Sequence, residues 1–327
     1  MPNFNGVWSL TTQVQYASDW PSPPTTPIGL FAGGQNDSSG AVNNIDQFNI
    51  STLGNATDFG DLLATKRRNT GCASETRGIF SAGLDGGTNA FLDVIEFVTI
   101  ASAGNASDFG DLLYTERSPA ACASATRGII GGGYGSDENP GGEANKTDVI
   151  QYITIASTGN ATDFGNLVQK RDNLAAFGST TRGIFSGGGF EGYRNEIDYI
   201  TIASTGNASD FGNLTTGRQG VSGCSSPTRG LTLGGDTGGR LNTIDYVTIA
   251  STGNASDFGD LLTVNHYAAA CSSHLRGVNC GGGDTGQIDV IQYVTIASTG
   301  NAQDFGDLTA ARVFGAACSA THGGIAA

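Results

Sequence analysis

Several residue groups recur in this chain at spacings that chemistry can use. Asp-Phe-Gly occurs six times, from Asp58-Phe59-Gly60 to Asp304-Phe305-Gly306. Asn-Ala-Ser/Thr sequons stand at Asn55, Asn105, Asn160, Asn207 and Asn254. In phosphoryl transfer an Asp-Phe-Gly needs a glycine loop over the nucleotide, a strand lysine and a His-Arg-Asp loop. None of these accompanies it, and one reaction has no use for six copies. The expected role is structural: Phe packed between sheets, Asp and Gly shaping a turn. The sequons lie in the same recurring stretch and are read as turn chemistry. The opening "MPNFNGVWSL" lacks the basic and apolar segments of a secretory leader, so glycosylation is not expected.

The remaining reactive groups follow the same periodicity. Cys72, Cys122, Cys224, Cys271 and Cys318 share one position, occupied by Phe177 in the third unit, and Cys280 is extra. No Cys-x-x-Cys suits zinc. Equivalent positions on packed sheets, about 10 Å apart, lie too far apart for a disulfide. Buried thiols are expected, and only Cys271 and Cys280, which flank one turn, can approach each other. His322 stands near where other units carry the arginine of Thr-Arg-Gly (Arg77, Arg127, Arg182, Arg229, Arg276), or its variant Leu-Arg-Gly. His266 falls near a second recurring arginine, read as Arg67, Arg117, Arg171, Arg218 and Arg312. No histidine has a carboxylate at a defined spacing, so neither catalysis nor metal binding is assigned. The arginines are expected to tie each unit to the next through carbonyls or the recurring Asp; an anion site on the axis is the alternative. Pairs such as Asp58/Asp61 and Asp257/Asp260, and the loop Gly234–Gly239, do not gather the roughly six to eight oxygens of a calcium site. No catalytic residue, metal or cofactor is expected.

These groups are positioned by a repeat. The central phenylalanines Phe59, Phe109, Phe164, Phe211, Phe258 and Phe305 are spaced 50, 55, 47, 47 and 47 residues apart. The longest spacing contains a Gly-rich, acidic insertion, Tyr134–Lys146. Each unit holds four strand-like pieces: "RGIFSGG", "IDYITIAS", "SDFGNL" and a small-residue run such as "GVSGCSS". In the second piece Ile197 and Tyr199 face one side and Ile200 and Ile202 the other, as in a strand covered on both faces. With 51 glycines and 38% hydrophobic residues, the chain reads as an all-β protein with tight turns and a core, not as a disordered segment. A net charge of −14, with only 16 Lys and Arg, speaks against nucleic acid and anionic membranes as partners. No apolar run approaches the roughly 20 residues of a membrane span.

Four strands per unit, six times over, fit a β-propeller of six four-stranded blades. The strand ending in Gly187-Gly188 and the tyrosines Tyr199, Tyr246 and Tyr293 resemble Kelch-type propellers, although Phe replaces the tryptophan of that family. The resemblance runs from about Pro27 to the C-terminus, leaving residues 1–26 as an N-terminal extension and 27–327 as the propeller. The first unit begins at "PIGLFAGG" and lacks its small-residue strand, which reappears as "VFGAACSA" (Val313–Ala320). The C-terminal strand is therefore expected to complete the first blade and close the ring. "HGGIAA" reads as the start of a seventh unit that stops early; seven blades are the less favoured alternative.

The phrases "IDYVTIASTGNASDFGDL", "TRGIFSGGG" and "CSATHGG", and the opening "NGVWSL…DWPSPP", resemble repeat proteins of marine tailed bacteriophages, cyanophage types among them. That resemblance implies a non-enzymatic virion structural protein of the tail, adsorption apparatus or capsid surface. It further implies assembly in the host cytoplasm and other virion proteins as partners. Trp8 and Trp20 are the expected anchors on a neighbouring protein, and Asp137, Glu138 and Asn139 of the insertion the expected recognition loop. Carbohydrate binding to host surface glycans is the alternative, and predicts exposed aromatics on one loop face. An enzyme would need clustered polar residues that break the repeat, and none is apparent.

Overall fold

The computed structural model describes residues 26–38, 40–135, 146–283 and 285–325. Trp8, Trp20, Asp137, Glu138 and Asn139, and with them both expected contact segments, lie outside the described residues. The described chain is all-β and forms six blades around an axis. It has no helix long and apolar enough to cross a membrane. In the fourth blade the strands run, from axis to rim, Ala175–Gly178, Arg182–Ser186, Glu196–Thr201 and Ser209–Asn213, all antiparallel. The small-residue strand is innermost because six strands converge there and leave room mostly for Ala, Gly, Ser and Cys, with Phe177 the one large exception.

The ring closes as the sequence implies. Ala316–Ser319 pairs with Ile28–Ala32 in the register Gly29↔Ser319 to Ala32↔Ala316, and so supplies the innermost strand of the first blade. The rest of that blade is Gly40–Asn49 and Thr57–Arg67. "HGGIAA" does not begin a seventh unit. Its described part turns under the ring, where Gly323 N–H donates to Ser225 O and His322 bonds Ala73 O.

Six apolar clusters fill the six seams between blades, so the core is divided rather than single. The seam between blades 4 and 5 shows the logic: Ile184 and Phe211 of one blade meet Val247 and Ile249 of the next, all buried. Both faces of the third strand are thereby covered, which explains its two-sided apolar pattern. The phenylalanine of Asp-Phe-Gly is the extra residue of a bulge: Ile197 pairs with Gly212 and Asp198 with Asp210, and Phe211 between them is buried. Its glycine is required by close approach. At Gly212 φ is +149°, and a Cβ there would meet Gly253 O of the next blade at 2.4 Å. Gly212→Ala is therefore expected to cost about 1–3 kcal/mol, read as a lowered urea midpoint; an unchanged midpoint would remove this account of the motif.

The sequon asparagines stitch the rim. Asn254 Oδ1 accepts from Asn213 N–H at 3.0 Å, and Asn55 Oδ1 accepts from Asp307 N–H at 3.1 Å across the ring closure. The same bond recurs at every seam, including Asn301, which is not a sequon. Asparagine therefore recurs at this position in all six units with a bond to make at each.

Candidate functional site

The polar repeats form three layers along the seams. On the lower face, Arg182 Nη1 donates to Ile249 O of the next blade at 2.9 Å while its guanidinium lies 4.6 Å over the Tyr199 ring. Tyr199 in turn meets Phe211 edge-on at 6.0 Å. Arg77, Arg127, Arg229 and Arg276 do the same over Phe97, Tyr152, Tyr246 and Tyr293. In the first blade Ile28 replaces the arginine and Gln47 the aromatic residue, so the two members of the stack are lost together. These arginines are inter-blade ties, as expected, and do not face the axis as an anion site.

The second arginine series needs a correction. Counting from the bulge phenylalanine, the position of Arg171, Arg218 and Arg312 is held in the other blades by Lys66, Glu116 and Asn265; Arg67 and Arg117 stand one residue later. Its partner is a polar residue on the third strand of the next blade. Lys66 pairs with Glu96, Arg171 with Asp198 at 2.9 Å, Arg218 with Asp245 at 3.1 Å and Arg312 with Asp46 at 2.5 Å. Where the cation is missing, the acid is missing too: Glu116 meets Gln151 at 3.0 Å, and Asn265 reaches Gln292 through Asn279. All of these groups are buried. Burial pushes the Arg171 guanidinium down and the Asp198 carboxyl up, and each partner's charge opposes the shift in the other. A charge in this layer is tolerable only beside its complement.

Glu116 has no cation, and desolvation lifts its carboxyl to about 8, only partly offset by the Gln151 hydrogen bond. Its proton is held in the folded state and released on unfolding. The contribution to stability is therefore complete below the ordinary Glu value of 4.5 and is lost as pH rises toward 8. Glu116→Gln is expected to match the wild type near the lower value and to unfold at higher urea above pH 8. Parallel urea midpoints across that range would refute the assignment.

The third layer surrounds the axis on the upper face. Six residues, one per seam, adopt left-handed backbone: Arg68, Ser118, Asn173, Gly220, Tyr267 and Phe314, with φ between 53° and 63°. Their amides close a ring. Arg68 N–H donates to Phe314 O, Phe314 to Tyr267, Tyr267 to Gly220, Gly220 to Asn173, Asn173 to Ser118 and Ser118 to Arg68, at 2.7–3.1 Å. Left-handed backbone at non-glycine residues costs energy locally, and the closed hydrogen-bond ring holds it in place. These residues border an upper mouth of about 110 Å³.

Below the mouth the axis is apolar, lined by the repeated cysteines and by Phe177. All six cysteines are buried and unpaired in disulfides. Cys271 and Cys280 do approach, sharing a side-chain hydrogen bond, and burial lifts the Cys72 thiol to about 12. His322 forms the floor. Its Nε2 donates to Ala73 O at 2.8 Å and its Nδ1 accepts from Gly324 N–H at 3.1 Å, which defines the tautomer. Burial lowers its pKa to about 4, so it is neutral at pH 7. The lower end of the axis is thereby closed, and the upper mouth opens into a blind well.

Among the described residues no cluster of three or more metal-ligating side chains occurs. Arg68 is the group that sequence reasoning missed. It occurs once, at a position of no common side chain, and only the ring turns it toward the axis. No family model matches the chain, and no curated protein matches it.

Proposed function

We propose that this chain is a non-enzymatic structural protein of a tailed-bacteriophage particle, located in the virion and assembled in the host cytoplasm. Its propeller is the rigid platform on which tail, adsorption or capsid-surface contacts are made. The observation that carries the reading is how the recurring polar residues are used. The rim asparagines, the lower arginines and the buried pairs all bond across seams, so the repeat makes stiffness and leaves the upper connections to vary. The phage-like phrasing of the repeat supplies the biological setting. Outside the two seam series, the Lys and Arg of the chain (Arg67, Arg68, Arg117, Lys146, Lys170, Arg194 and Arg240) all lie in segments of the upper face. That face is accordingly the one assigned to partners.

The test is to raise an antibody against the recombinant chain and apply it to purified particles from the source culture. Labelling of one particle substructure, with the chain present in fixed stoichiometry by mass spectrometry, is the expected result. Particles free of the chain would end the proposal. Recognition of host glycans is the second reading. It is favoured by aromatic side chains on the upper face: Tyr193 is 42% exposed, and Tyr267 and Phe314 border the mouth.

A further inference from the structure

We infer that residues 1–25 are the strap that covers the lower face of the closure seam, between the last blade and the first, with the indole of Trp20 seated in a hollow that the first blade leaves open. The inference goes beyond both readings of function and depends on neither. It assigns Trp20 to the chain's own ring and not to a neighbouring protein.

The hollow lies where the first blade lacks its stack. The other five blades carry an arginine over an aromatic ring on the lower face, and Ile28 and Gln47 stand at those two positions in the first. What remains is an open hollow of about 390 Å³, bordered by Thr26, Ile28, Gln47, Phe48 and Leu53. The missing pair is a planar cation on an aromatic ring. An indole brings a flat apolar body and one N–H donor to the same place.

Two exposed leucines flank this seam. Leu53 is 57% exposed and Leu275 72%. Leu63, Leu113, Val168 and Leu262 are exposed too, but they share one repeated position after the fourth strand. Leu53 and Leu275 are single departures from the repeat. At the first position the other units have Ala103, Thr158, Thr205, Thr252 and Thr299; at the second, Thr76, Thr126, Thr181 and Thr228. Arg276, beside Leu275, donates to Ile50 O across the seam at 3.0 Å, which sets Leu275 and the turn bearing Leu53 on its two sides. Ile28, Leu53 and Leu275 thus turn apolar together at one seam of six, the mark of a surface that something covers.

The occupant is argued from where the chain arrives. Thr26 borders the hollow, and the segment before it holds both tryptophans of the chain. Trp20 is six residues from Thr26, within a reach of about 20 Å. A segment tethered at the rim of its own site has an effective concentration of the order of millimolar, which a second copy does not match in dilute solution.

Because Trp8 and Trp20 are the only tryptophans, the intrinsic fluorescence of the full chain reports this segment alone. In Trp8→Phe, where Trp20 is the single emitter, emission is expected to lie to the blue of N-acetyltryptophanamide in the same buffer and to be shielded from acrylamide. Adding Leu53→Thr and Leu275→Thr installs residues that other blades carry at these exposed positions. That variant is expected to return both readings to the free values with an unchanged circular dichroism spectrum. Should it fail to fold, Ile28→Arg with Gln47→Tyr, which rebuilds the missing stack and fills the hollow, makes the same displacement test. Emission at the free value in Trp8→Phe overturns the inference, and so does a blue shift that the substitutions leave in place. A blue shift that fades on dilution, with a dimer in sedimentation, puts the indole on a second copy and overturns it as well.

Discussion

Arg218→Met is expected to lower the unfolding free energy by about 3–5 kcal/mol, because it strands a buried carboxylate. Arg218 and Asp245 are both fully buried, joined at 3.1 Å, and Arg218 Nη2 also reaches Thr232 O at 3.3 Å. With the guanidinium gone, Asp245 keeps Thr215 as a partner at 2.7–2.9 Å but has no counter-charge. Set against a whole-domain stability of about 5–15 kcal/mol, the loss threatens the fold itself. The chain already contains the remedy. Glu116 faces Gln151 and Asn265 lies near Gln292, so the layer accepts an amide wherever the cation is absent. Arg218→Met with Asp245→Asn is therefore expected to recover more than half of the loss. Urea unfolding followed by circular dichroism reads both numbers. A loss below about 1 kcal/mol, the scale of an exposed pair, or a double variant no better than the single, would show that the pairs are not coupled as argued.

Deleting residues 313–327 is expected to abolish the cooperative, monomeric fold. The deletion removes the innermost strand of the first blade and the floor of the well together. Leu30 and Phe31, both completely buried, lose the strand that covers them, and Ile28–Ala32 becomes an open edge. Unpaired edges recruit other chains, so association or precipitation should replace the monomer in size-exclusion chromatography. Grafting Val313–Ala320 ahead of Pro27 through a short linker is expected to restore a monomer, since Ala320 N–H donates to Ile28 O at 3.4 Å in the intact ring. A truncated chain that stays monomeric with an unchanged melting temperature would refute the closure as the source of stability. Truncation tests the ring as a whole and the buried pairs test one seam, which makes the two results independent.

Much of this fold is legible from the chain alone because its information is repeated. Six copies of one strand pattern specify the blades, and the displaced small-residue strand specifies the closure. The Asp-Phe-Gly and sequon motifs resolve as bulge and stitch for the same reason: anything present once per blade serves the seams. Repetition is also where the residue-level reading slipped. Arg67 and Arg117 look like members of the Arg171 series, yet Lys66 and Glu116 hold its register, because an arginine beside the true position hides a substitution by a different residue type. The matched changes that reveal it, acid lost with cation and aromatic with arginine, lie 19–35 residues apart and become visible as pairs only once strands and blades are neighbours.

What the sequence determined by itself was the periodic part: strand order, blade number and the shared fate of the repeated cysteines, asparagines and arginines. What only the tertiary structure decided was the part without symmetry. The last described residues cross beneath the axis, held there by Gly323 N–H on Ser225 O and His322 on Ala73 O. Arg68 meets Asn173, Tyr267 and Phe314 at the mouth because left-handed turns from separate seams converge around the axis. A unique residue has no second copy to reveal its role; its surroundings come from neighbours distant in the chain, and closing the ring brings them together.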